Sequence, residues 1–152
     1  MGTLSPDSLF NLANPAALSG WIFLIVWLFL PPARQRQTRW VGLVVPLLLS
    51  CLYTAVILTY FADSEGGFDS LDNVMLLFTQ PGTVLAGWVH YLAFDLFVGW
   101  CIALDATHRR ISRWVVIPCF GFTFMLGPMG LLLYAATRAA YSMRIGTQGD
   151  AV

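Results

Sequence analysis

Asp95 and His90 are the side chains of this sequence best suited to proton transfer, and both stand inside apolar runs. A charged side chain at the centre of a membrane span costs about 2.5–3.5 kcal/mol on insertion scales, so an acid kept there faces the protein interior and serves a site. A buried carboxyl and an imidazole offer a proton donor and a proton acceptor near neutral pH. Asp95 and His90 are therefore the first candidate site residues. The plainer alternatives are a carboxyl hydrogen-bonded to a neighbouring Tyr or Trp, and a histidine bonded to an adjacent helix, each only fixing helix packing.

Helical spacing sets Trp88, Tyr91, Asp95, Val98, Ile102 and Asp105 on one stripe, the pattern of a face turned toward neighbouring helices. Trp88, Tyr91 and Asp105 are therefore candidate substrate-binding residues. Asp95 and Asp105 are ten residues apart, about 15 Å along a helix, so they do not form one carboxylate dyad. Asp105 is also placed for an ion pair with Arg109 at i+4. His90 stands about 140° around the helix from Asp95, which excludes direct contact but allows approach to one substrate from two sides. No metal site is expected, because the only other histidine, His108, lies in a basic loop. Cys51, Cys101 and Cys119 sit in apolar runs without ligand spacing. In Gly127-Pro128-Met129-Gly130 the proline removes a helix hydrogen bond, and a packing kink is expected.

The elements that must position these residues are membrane helices. Of the 152 residues 58% are hydrophobic and 11% charged, against about 25% charged in a soluble domain. The basic residues are all arginine and the formal net charge is zero, so no basic field points to nucleic acid. About 20 apolar residues span a hydrocarbon core. The expected fold is an all-α integral membrane bundle of four helices, at about 14–30, 40–61, 84–104 and 114–137, after an N-terminal segment 1–13 and before a polar, mobile tail 138–152. The first helix has no positive residue before it and no cleavage site after it, and is expected to be retained. Arg34, Arg36 and Arg39 in one short loop and Arg109, Arg110 and Arg113 in another place those loops in the cytoplasm and both termini outside. The connection from Ala62 to Thr83 carries Asp63, Glu65, Asp69 and Asp72, and Ser70-Leu71-Asp72 is set to cap a short interfacial helix through Phe78.

Leu18-Ser19-Gly20-Trp21 is echoed by Leu85-Ala86-Gly87-Trp88, and Arg39-Trp40-Val41 by Arg113-Trp114-Val115, with Pro46 and Pro118 following. The echo suggests two parallel-repeat helical hairpins, although apolar segments also match by chance.

The segment from Gly87 through His90 and Asp95 to Gly99 resembles the hallmark of the plant neoxanthin synthase family, the abscisic acid deficient four family. Pro118-Cys119 and Gly127-Pro128-Met129-Gly130-Leu131-Leu132-Leu133-Tyr134 resemble that family's last helix. The family segment continues with an arginine where this chain has Trp100. The resemblance implies a small four-helix membrane protein whose plant members are required to convert violaxanthin to neoxanthin. That reaction is a redox-neutral isomerisation: an epoxide opens while a carbon-bound proton leaves and an allene forms. The resemblance implies no cofactor, and on its chemistry Asp95 is the candidate acid for the epoxide oxygen, His90 the candidate base for the carbon-bound proton, and Tyr91 with Trp88 the wall against a long apolar substrate. The expected partners are membrane lipid, a carotenoid or other isoprenoid substrate and a second copy in a homo-oligomer. The expected location is a bacterial inner membrane. The competing class is a protein that binds a lipid or pigment, or helps a membrane complex assemble, without converting anything; a channel or transporter ranks below both.

Overall fold

The computed structural model describes residues 5–62 and 64–149, with side chains through Met143; Asp63 of the acidic connection and the last residues of the tail lie outside it. The described residues are helical and contain no strand. In order they form α1 (Pro6–Leu28), α2 (Pro32–Thr38), a 3-10 segment (Arg39–Leu43), α3 (Val44–Tyr60), α4 (Leu71–Leu77), α5 (Pro81–His108), α6 (Arg113–Leu126) and α7 (Pro128–Gly149). Three stretches are long and apolar enough to cross a membrane: Pro6–Leu28, Pro32–Tyr60 and Pro81–His108. Leu47, Leu48, Leu58, Ile22 and Val26 are all exposed, the surface expected of helices whose solvent is lipid.

Local sequence sets the helix ends. α1 starts at Pro6, well before the expected residue 14, because Ser5 caps it by accepting from Ser8 N at 3.3 Å and proline suits the first helical position. Pro31-Pro32 ends it. The buried Gln35 amide then donates to Trp27 O at 3.0 Å, satisfying a carbonyl that the helix end leaves open. α4 is the short helix expected after Ser70, whose hydroxyl accepts from Asn73 N at 3.2 Å, and Phe78 closes it. Hydroxyls within the spans bond back to their own helices: Ser50 to Pro46 O at 2.8 Å, Thr54 to Ser50 O at 2.9 Å and Thr123 to Cys119 O at 2.8 Å. Apolar surroundings offer no other acceptor.

The contacts divide the chain into two units. Unit one comprises the residues up to Gly20 and Val44–Phe94; unit two comprises Trp21–Leu43 and the residues from Asp95 onward. Each takes one half of α1 and one half of α5. Unit one has a core of Ala13, Ala17, Leu49, Val56, Leu85, Ala86, Val89, Leu92 and Ala93, where α1, α3 and α5 meet. In unit two Trp21 packs edge-on to Phe120 and Phe124, with ring centroids 5.6 and 5.9 Å apart. Trp100 lies on the unit-two half of α5. It donates from Nε1 to Arg39 O at 2.9 Å and lies against Gly42, so the indole holds the 3-10 segment by hydrogen bonding and packing.

The expected fourth span is not one helix. Gly127 ends α6 at φ +46°, a conformation that glycine adopts without a Cβ penalty, and Pro128 begins α7. The chain reverses there. Gly130 lies on the backbone of Thr123, and the Cys119 thiol reaches the Thr137 side chain, pairings that require antiparallel helices. α7 accordingly runs alongside α5, in the same direction. Gly127 sits beside Asp95, while Tyr134 and Arg138 both reach Asp105. Seven to eleven residues of α7 match the ten residues from Asp95 to Asp105, about 15 Å of helix. The expected polar tail is therefore the continuation of a helix, up to Gly149.

Candidate functional site

α3 and α5 are antiparallel neighbours in unit one, and the pairing sets Tyr53 against His90 with ring centroids 5.4 Å apart at 63°. Phe94, one turn further along α5, also stacks on the imidazole, at 4.6 Å. The chain after α3 turns back over these residues through α4. Phe78 lies against Gly87, where a Cβ would stand 2.6 Å from Phe78 Cε1, so only glycine lets the ring settle on α5. The Thr83 hydroxyl ties α4 down by donating to Leu77 O.

These contacts line a partly open pocket of about 290 Å³, formed by Tyr53, Ile57, Phe68, Leu77, Phe78, Thr83, Ala86, Gly87 and His90, the last of them exposed. The size lies at the lower end of ligand pockets, roughly 300–1,000 Å³, and suits one end of a long apolar molecule. The walls are aromatic and aliphatic. Three residues bring polar atoms, namely the imidazole of His90, the phenol of Tyr53 and the hydroxyl of Thr83, of which the last is bonded to backbone.

The other residues expected at a site are dispersed. Trp88 donates from Nε1 to Asn14 Oδ1 at 2.9 Å and is flanked by Tyr91 at 5.8 Å and Phe10 at 5.7 Å, so Trp88 and Tyr91 stand together but do not line the cavity. Asp95 is buried, at 9% exposure, in unit two. A Cβ on Gly127 would stand 2.6 Å from its Oδ1, which seats the carboxyl at the α6–α7 turn. Asp105 makes the expected pair with Arg109, 2.9 Å from Oδ1 to Nε, and accepts from the Tyr134 hydroxyl at 2.7 Å. Among the described residues no group of three metal-binding side chains occurs.

The seam of α5 also differs from the expected polar stripe. Val89, Leu96 and Ala103, at i, i+7 and i+14, are fully buried, whereas Trp88 is 40% exposed. Asp95 and Ile102 of the expected stripe are buried as well, whereas His90 is exposed. Tyr53 is the site residue that the sequence reading missed. A single tyrosine in an apolar helix resembles packing until α5 sets a histidine beside it.

A family profile described as ABA DEFICIENT 4-like matches residues 8–134, from the first turn of α1 into α7. Neither the curated proteins nor the solved structures provide a match.

Proposed function

The chain belongs to the ABA DEFICIENT 4-like family, and on that footing we propose that this membrane protein is an acid–base isomerase acting on one end group of a long isoprenoid lipid of the carotenoid class. The pocket beside His90 and Tyr53 carries the reading, since it pairs a proton acceptor and a proton donor along a partly open apolar wall. The end group enters the cavity and the remaining hydrocarbon lies along exposed apolar helix surface.

For an epoxide end group, His90 removes the carbon-bound proton and the released electron pair forms the new double bond of the allene. The epoxide C–O bond breaks as this happens. Its oxygen takes a proton from the Tyr53 hydroxyl, and proton return from His90 to Tyr53 restores both groups. Nothing is oxidised or reduced, and substrate and product are isomers. Asp95, the acid expected from sequence, does not line this cavity and here has a supporting role at the α6–α7 turn.

The orientation follows from charge. Arg34, Arg36, Arg39, Arg109, Arg110 and Arg113 face the cytoplasm. The return of α7 toward the Asp105 end of α5 takes Arg138 to the same side, so the C-terminal helix ends there. This departs from the expectation of two outer termini.

The test is chromatography of pigments and lipids from membranes of cells carrying the wild type, His90→Gln, Tyr53→Phe or Asp95→Asn. A product isomeric with its precursor should appear with the wild type and with Asp95→Asn, and be lost with the other two. Unchanged turnover in His90→Gln, or its loss in Asp95→Asn with the protein still folded, would remove this assignment.

A further inference from the structure

The arginine end of unit two holds a groove that the isoprenoid chemistry leaves unused. Ile102 and Asp105 of α5 form one wall and Leu131, Tyr134 and Arg138 of α7 the other, around a volume of about 440 Å³. Its lining is mostly apolar, and the partly exposed Arg109 and Arg138 side chains bring two cations to it. Both guanidiniums meet one carboxylate: Arg109 Nε lies 2.9 Å from Asp105 Oδ1, and Arg138 Nε lies 3.5 Å from Oδ2. The Tyr134 hydroxyl donates to the same Oδ2 at 2.7 Å. Two cations against one anion leave a single positive charge, and each guanidinium carries further N–H donors beyond its Nε.

We propose that this groove binds the head of an anionic membrane phospholipid, with its phosphodiester at Arg109 and Arg138 and an acyl chain against the exposed Cys101 and Leu131. The charge matches, because a phosphodiester brings the one negative charge that the cluster lacks. The fork geometry of arginine suits phosphate oxygens. The position matches as well. In the orientation given above Arg109 and Arg138 lie on the cytoplasmic side, where the leaflet is rich in anionic lipid and basic pockets between helices accept acidic head groups. The proposal rests on that orientation and is independent of any isomerase activity.

The test uses the full chain purified in detergent and titrated with phosphatidylglycerol or with phosphatidylcholine of the same acyl chains, with bound lipid read by native mass spectrometry. The wild type should retain phosphatidylglycerol in preference to phosphatidylcholine. Arg138→Gln should bind phosphatidylglycerol about tenfold or more weakly, the order expected for one charge-assisted hydrogen bond, while keeping the Asp105–Arg109 pair. Glycerol phosphate without acyl chains should compete poorly. Equal binding of the two lipids, an unchanged affinity in both Arg138→Gln and Arg109→Gln, or full competition by glycerol phosphate would each overturn the proposal. The comparison of lipids on the wild type stands even where a variant fails to fold. Pigment profiles report separately on the isomerase reading.

Discussion

Gly130 of α7 lies directly on the backbone of Thr123 of α6, close enough that a Cβ at Gly130 would fall on the Thr123 amide nitrogen, Cα and hydroxyl. The two residues flank the Gly127 turn and hold the helices at backbone distance. Small residues play this part in membrane helix pairs, where association depends on close packing rather than on a hydrophobic drive.

Replacing Gly130 by valine should therefore separate α6 from α7. Overpacking of this kind costs about 1–3 kcal/mol, and thermal unfolding in detergent should show a lowered midpoint. Gly121, which has open space around its Cα, serves as the control, and Gly121→Ala should leave the midpoint unchanged. An unaltered midpoint in Gly130→Val would mean that the helices do not meet at Thr123.

The course of α7 can be tested by labelling. In a chain with Cys51, Cys101 and Cys119 replaced by alanine, a cysteine introduced as Gln148→Cys should react with a membrane-impermeant maleimide from the side that also reaches Gln37→Cys. Modification from the opposite side would show that α7 continues across the bilayer as a fourth span.

Asp69 supplies a dependence on pH outside the membrane spans. The Asn73 side-chain amide, donating to Asp69 Oδ1 at 2.9 Å, holds this carboxyl below its ordinary value of 3.8, with help from backbone N–H groups. A lowered folded value means that the carboxylate stabilises the start of α4 above the ordinary pKa. That support is lost as pH falls through the lowered value. The Asn73 side-chain amide resonance should shift over that acidic window, and Asp69→Asn should abolish the titration. A shift centred above pH 3.8 would contradict the assignment.

Much of this architecture was legible beforehand. Apolar length marked the three long segments, Ser70 marked α4, and the i+4 spacing marked the Asp105–Arg109 pair. The start of α1 lies ahead of the apolar run that marks the span, and its signal is the capping pair Ser5-Pro6. The hairpin was missed for a deeper reason. Residues 114–137 are apolar enough for a span, and hydropathy responds in the same way to a helix that crosses and to two that meet at a turn. The signals that separate the cases were present in Gly127-Pro128, in Gly130, and in Arg138 and Arg144 beyond them. Tyr53 could not be singled out from one chain. Its proximity to His90 depends on the register of α3 against α5, which no local pattern encodes.

The α6–α7 turn also bears on how the protein is made. α6 has 14 residues, too few to span the hydrocarbon layer as a lone segment, and the apolar part of α7 is shorter still before Arg138. Neither leg has reason to partition into lipid by itself as it leaves the ribosome. The pair enters as a unit once α5 offers Asp95 at the turn and Asp105 at the open end. A chain cut off before Tyr134 would be left with α6 unsupported, and it would be a natural substrate for membrane quality control.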